Sequence, residues 1–118
     1  GVFFVIGEYG MIPDGLQDHV RDASRILKAM ANERRFTILC HLVDGELGVG
    51  ELEKLLGISQ SALSQHLARL RNDGLVIPRR SAQNIYYSLH GDEARAIMRL
   101  LRELIGADGS GRDIQQSA

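Results

Sequence analysis

Cysteine is almost absent from this sequence: Cys40 is the only one in 118 residues. One thiol cannot build an internal disulfide framework or a multi-cysteine zinc site, which fits a reducing compartment. Long apolar runs are missing as well. The longest, Val2 to Ile6, falls far below the roughly 20 residues that a membrane span requires. It has no basic segment and no small-residue cleavage site beside it, so it does not read as a signal peptide. A cytoplasmic location without a membrane partner is expected. The chain also lacks a phosphate-cradling glycine loop, a nucleophile with an oriented base, and carboxylates paired across a cleft, so an enzyme is not expected.

A basic excess is missing too, since the net charge is -1. Taken as a total, that argues against a nucleic-acid partner, which needs Lys and Arg against phosphates. The distribution says otherwise. Between Ser59 and His90 stand four arginines, Arg69, Arg71, Arg79 and Arg80, against the single acid Asp73, a local excess of three positive charges. The acids gather elsewhere, at Asp14, Asp18, Asp22, Glu46, Glu51 and Glu53.

A chain of this length supports one domain with one modest core. Residues 1–13 carry no periodic pattern and are expected to form a flexible leader, with Met11 a candidate natural start. From Leu16, apolar residues recur at Val20, Ala23, Ile26, Leu27 and Met30 on one helical stripe. Asn32 can cap a second helix, whose Phe36, Ile38, Leu39, Leu42 and Val43 wrap most of its circumference and call for burial. Val49, Leu52, Leu55 and Leu56 predict a short third helix closed by Gly57. Ser59 is then the N-cap of a fourth, running to Asp73 with Gly74 as its stop.

Beyond Gly74 the period changes. Leu75-Val76-Ile77 and Ile85-Tyr86-Tyr87-Ser88-Leu89 are rich in strand-forming residues and flank the polar stretch from Arg79 to Asn84, which predicts a hairpin with a basic tip. One tyrosine of the alternating pair Tyr86 and Tyr87 should pack inward and the other cover the hairpin. A last helix starts at Asp92 with Ile97, Met98, Leu101, Leu104 and Ile105 on one stripe. The tail, 107–118, is rich in Gly, Ser and Gln and is expected to be disordered. The ordered domain is thus expected over 14–106. Its fold class is mainly α with a small β-hairpin, four helices preceding the two strands and one following them.

Two short helices joined by a tight turn and followed by a hairpin is the order of a winged helix-turn-helix. On the fourth helix Leu63, Leu67 and Leu70 share one face, while Ser61, Ser64, Gln65 and Ala68 point the opposite way. Small hydrogen-bonding groups suit the major groove: Gln pairs with an adenine edge, Ser donates or accepts, and an Ala methyl meets a thymine methyl. Gln60 and His66 belong to the same helix, His66 nearer the core edge, where packing or a phosphate contact suits it better than base reading. Arg69 and Arg71 flank the face and suit phosphates. Arg79, Arg80 and Gln83 at the hairpin tip can follow the backbone or enter a minor groove. The alternative is a winged helix that contacts another protein or RNA instead of duplex DNA, which an apolar or acidic face would favour.

Three segments, Leu27-Lys-Ala-Met-Ala-Asn-Glu-Arg-Arg35, Ser59-Gln-Ser-Ala-Leu-Ser-Gln-His-Leu67 and Gly74-Leu-Val76, resemble the ArsR/SmtB family of winged-helix transcriptional regulators over roughly Ala23 to Ile105. Their wording is similar to the BigR, HlyU and NolR branch rather than to the metal sensors. The resemblance implies a homodimeric repressor of a palindromic operator on double-stranded DNA. Its first and last helices would form the interface, through Val20, Ala23, Leu27, Ile97, Met98, Leu101, Leu104 and Ile105. The apolar stripe on the last helix exceeds what a short chain's core needs, which independently supports a partner helix. Arg34 and Arg35 resemble a family phosphate contact.

No metal site and no cofactor is expected. Where metal-sensing relatives carry thiolates this chain has Gly48 and Gly50, and Asp92 and Glu93 find no ligand partner at Leu104 or Ala107. His41 and Cys40 point about 100° apart and do not converge on one ion. Cys40 matches the first cysteine of redox-sensing relatives, but the second is missing, so an intramolecular bridge cannot close. Cys40 is read as a small buried hydrophobe, with sulfenylation or a bridge to another chain as the thiol-sensing alternative. No residue points to a small-molecule effector.

Overall fold

The computed structural model describes residues 3–106; the tail expected to be disordered, 107–118, lies outside them. The chain opens with a hairpin, β1 (Phe4–Gly7) and β2 (Gly10–Pro13), followed by a one-turn helix α1 (Asp14–Gln17). Then come α2 (Val20–Met30), α3 (Glu33–Leu42), the two-residue strand β3 (Leu47–Gly48), α4 (Val49–Leu56) and α5 (Gln60–Asn72). The strands β4 (Val76–Ser81) and β5 (Asn84–Leu89) and the helix α6 (Asp92–Ile105) complete it. Among the described residues no helix is long and apolar enough to cross a membrane.

The caps placed in the sequence decide where the helices begin. Asn32 accepts a hydrogen bond from the Arg35 N–H at 3.0 Å and starts α3. Ser59 accepts one from the Ala62 N–H at 3.1 Å and starts α5. At α4 the cap works in reverse: Glu51 reaches back to take the Gly48 N–H at 3.0 Å. Gly57 ends α4 with φ +64, a left-handed conformation that spares glycine the Cβ clash, so the chain turns into Ser59 within two residues.

The exit from α5 is a Schellman turn. Gly74, at φ +75, donates to the Arg71 carbonyl at 3.0 Å, and Leu75 donates to the Leu70 carbonyl at 2.9 Å. Leu70 and Leu75 are both buried, which supplies the hydrophobic contact that accompanies this motif. The turn therefore delivers the chain straight from α5 into β4.

α3 lies at the centre, packed against α2, α4, α5 and β5. Its Ile38, Leu39 and Leu42 meet Leu52 and Leu56 from α4, Leu63, Leu67 and Leu70 from α5, and Leu75, Val76 and Leu89 from the sheet. Each of these side chains contributes about 1.5–3 kcal/mol by leaving water. The sheet has the order β3-β5-β4, fully antiparallel, with Leu47 opposite Tyr87, Gly48 opposite Tyr86, and Arg79 opposite Tyr86.

Three elements differ from the sequence reading. Residues 4–13, expected to lack regular structure, form the β1–β2 hairpin, because Phe4-Val5-Ile6 favours an extended chain and Gly10 adopts φ +81 where β2 leaves the turn. The first long helix is interrupted at Asp18-His19, so α1 and α2 are separate. The wing gains β3 as a short third strand, which joins it to the start of α4.

Candidate nucleic-acid interface

α4, the turn Gly57-Ile58-Ser59 and α5 form the helix-turn-helix, and β4 and β5 form the wing beside it. Burial sorts α5 into two faces as its 3.6-residue period requires. Leu63, Leu67 and Leu70 are buried, while Gln60, Ser61, Ser64, Gln65, Ala68, Arg69 and Arg71 are exposed. A concavity of about 390 Å³ separates α5 from the wing, with Gln60, Ser64, Ala68, Arg71 and Asn72 on one side and Ile85 and Tyr87 on the other. A second, of about 320 Å³, is bordered by Gly48, Gly50 and Gln60 and by Gln83, Asn84 and Tyr86 of the wing. Asn72 was not singled out from the sequence. It lies four positions after Ala68, on the same helical face, and that spacing is the signal that finds it.

The arginines are not alike. Among the described residues Arg71 and Arg80 enter no ion pair. Arg34 is exposed and makes one long contact, its Nη1 donating to the Leu56 carbonyl at 3.4 Å. Arg69 donates to Asp73 at 2.8 Å, and Arg25 of α2 donates to the Asp73 carbonyl at 2.8 Å, so the end of α5 is tied to α2. Arg35 departs from its expected phosphate role. Its guanidinium donates to the Ala29 carbonyl and, at 3.2 Å, to the Lys28 carbonyl, closing the C-terminal end of α2 where free carbonyls and the helix dipole favour a cation.

Arg79 also departs from the open basic tip expected of it. Its Nε and Nη2 donate to the two carboxylate oxygens of Glu46 at 2.9 and 2.7 Å, and its guanidinium carbon lies 4.7 Å from the centre of the Tyr86 ring. The hydrogen bonds from Arg79 hold the Glu46 carboxyl below the usual carboxylate range. Tyr87 packs against the core and Tyr86 lies under Arg79, as strand alternation predicted. His66 is half-buried. Loss of water, and then the charges of Arg35 and Arg34, lower its pKa below the ordinary value of 6.5.

Away from this face, the expected interface residues divide. Leu27, Leu104 and Ile105 are exposed at 56%, 64% and 49%, Ala23 is exposed, and Val20, Ile97 and Leu101 are half-buried. Met98 is a correction: at 3% exposure it belongs to the chain's own core, because its position on α6 turns toward α3. Leu100, not singled out from the sequence, is exposed at 53%.

Cys40 is a second correction. It is exposed, not a buried hydrophobe, because α3 turns Ile38, Leu39 and Leu42 inward and leaves Cys40 beside a cleft toward α6. The cleft, about 310 Å³, is walled by Phe36, Val43, Met98, Leu101, Arg102 and Ile105. Partial loss of water raises the thiol pKa, and Arg102 partly opposes the rise. Among the described residues no three His, Cys, Asp or Glu side chains gather to hold a metal ion.

Comparison with known proteins agrees with this geometry. The sequence profile of the family described as "Bacterial regulatory protein, arsR family" matches residues 32–77. The transcriptional activator HlyU of Vibrio cholerae is 53% identical over 95 residues, covering 78% of this chain and 88% of its own. The structure of the transcriptional repressor BigR from Xylella fastidiosa is similar at a TM-score of 0.74 and 34% identity, with 80% of this chain and 97% of that one covered. A homodimeric winged helix-turn-helix DNA-binding domain from Mycobacterium bovis is similar at 0.69 and 30% identity, with 81% and 87% covered. A winged helix-turn-helix with a polar outward face on α5 and these likenesses lead to one conclusion: the chain belongs to the arsR family of bacterial regulatory proteins, DNA-binding transcriptional regulators and not enzymes.

Proposed function

We propose that this chain is a homodimeric repressor of a palindromic operator, each protomer laying α5 in the major groove of one half-site. The observation that carries the reading is the outward face of α5. Gln60, Ser61, Ser64, Gln65 and Ala68 are exposed there over a fully buried leucine face, so polar groups of base-reading size stand on a rigid support. An apolar or acidic face would favour a protein partner, and this one is neither. Arg34, Arg71 and Arg80 suit phosphates, and Gln83 extends the contact along the wing.

The dimer is supported by the exposed Leu27 on α2 and by Leu100, Leu104 and Ile105 on α6, an apolar surface that a second copy would remove from water. The Mycobacterium bovis relative is described as homodimeric. BigR is named a repressor and HlyU an activator, and a dimer seated on an operator acts most directly by excluding other proteins from it. The half-sites must then lie about 34 Å apart, one turn of DNA.

Sedimentation and fluorescence anisotropy test the proposal with DNA from the chain's own upstream region. Two protomers per palindrome, with affinity falling steeply as salt rises, is the expected result. A monomer that binds random duplex equally well would sink it.

A second reading, a thiol-responsive regulator, has the exposure of Cys40 in its favour. Loss of operator binding on oxidation that disappears in Cys40→Ser would carry that reading.

A further inference from the structure

The wing carries two adjacent arginines, and strand geometry separates them. Side chains alternate along a strand, and residues directly opposite in an antiparallel pair share a face. Arg80 is opposite Ile85, and with Tyr87 it belongs to the face that fronts α5 across the 390 Å³ concavity. Arg79 is opposite Tyr86, on the other face.

On that other face Arg79 is paired with a carboxylate, although its side chain stays exposed. Two of its donors reach both oxygens of Glu46, at 2.9 and 2.7 Å, in the parallel fork that guanidinium and carboxylate favour, and its guanidinium carbon lies over the Tyr86 ring. Glu46 immediately precedes β3, and β3 leads into α4 through Gly48. The ion pair therefore spans the sheet from β4, across Tyr86 on β5, to the segment that starts the helix-turn-helix. The pair has no net charge to offer a phosphate.

We propose that Arg79 is a positioning residue, held by Glu46 against Tyr86 to set the wing on the helix-turn-helix, and that Arg80 alone of the two carries the wing's phosphate contact. This rests on the DNA-binding reading given above. Glu46 and Arg79 act as one unit, because either alone loses the fork. Lysine cannot replace Arg79, since an ammonium has the charge but not the two parallel donors.

The test is operator binding by anisotropy over a salt series, for the full chain and its Arg80→Gln, Arg79→Gln, Arg79→Lys, Glu46→Gln and Glu46→Gln/Arg79→Gln variants. Arg80→Gln should flatten the plot of log K against log salt by about 0.9, the value for one phosphate contact. Arg79→Gln, Arg79→Lys and Glu46→Gln should each weaken binding several-fold at every salt concentration with the wild-type slope. The double variant should be no weaker than either single one.

A slope flattened by Arg79→Gln as much as by Arg80→Gln would overturn the proposal, because Arg79 would then touch phosphate. Tighter binding in Glu46→Gln, wild-type binding in Arg79→Lys, or a further loss in the double variant would also overturn it. If the wild-type chain fails to distinguish operator from random duplex, the DNA-binding reading itself fails. If the wild type discriminates and only the variant pattern is wrong, the positioning role alone fails.

Discussion

Replacing Gly74 by alanine isolates the cost of the turn that joins α5 to the wing. Gly74 stands at φ +75, and a Cβ added there meets nothing within 4 Å, so no collision contributes. The cost is then that of placing an L-residue in the left-handed region, about 1–2 kcal/mol. In a domain of this size about 1 kcal/mol moves Tm by roughly 4–8 °C. Gly74→Ala should therefore lower Tm by about 5 °C or more while leaving the far-ultraviolet spectrum unchanged.

Gly50 is the internal control. It stands in the first turn of α4 with ordinary backbone angles, and its added Cβ also meets nothing within 4 Å. Gly50→Ala removes backbone freedom from the unfolded chain and should stabilise by about 0.5–1 kcal/mol, raising Tm by a few degrees. Thermal melts followed by circular dichroism read both variants. Equal or opposite-to-expected shifts, above all a Gly74→Ala protein as stable as wild type, would refute the reasoning that a left-handed residue holds this turn.

Two further outcomes follow from the titrating groups. His66 has a pKa lowered below 6.5 by loss of water and by Arg35 and Arg34, so the folded chain binds its proton less readily than the unfolded one. Its contribution is present above the unfolded value near 6.5 and is lost as pH falls through the lower folded value. Urea titrations between pH 5 and 7.5 should show a steeper acid loss in wild type than in His66→Gln, and identical slopes would contradict the assignment. Cys40 has a raised pKa, so less thiolate is present at neutral pH. Its alkylation by iodoacetamide at pH 7 should be slower than that of a free thiol and should rise through a higher pH; a rate above the free-thiol rate would show that Arg102 outweighs burial.

The helix-turn-helix was legible because its signals are local. Ser59, Asn32, Gly57 and Gly74 act within four residues of themselves, and the leucines of α5 declare their face by spacing alone. What escaped the sequence depends on partners far along the chain. Glu46 meets Arg79 across 33 positions, Arg25 meets Asp73 across 48, and Arg35 turns back to α2, so a basic cluster that looks uniform in sequence divides into engaged and open cations. The opposite faces of Arg79 and Arg80 were available from strand alternation, but the ion pair that makes the difference matter was not. Met98 and Cys40 were misplaced for a related reason. On helices apolar over much of their circumference, a stripe does not say which edge faces the core and which faces a cleft. The β1–β2 hairpin is not legible in the sequence because an apolar run bounded by glycines carries no sign of the pairing that makes it two strands.

Base reading by α5 is the central claim, and Gln65→Ala tests it most directly. Competition anisotropy between the operator and a scrambled duplex of equal length gives a discrimination ratio for wild type and variant. A bidentate base contact is worth about 1–3 kcal/mol, so the ratio should fall by roughly 5- to 150-fold while affinity for scrambled DNA stays the same. An equal loss on both duplexes, leaving the ratio unchanged, would contradict base reading by α5.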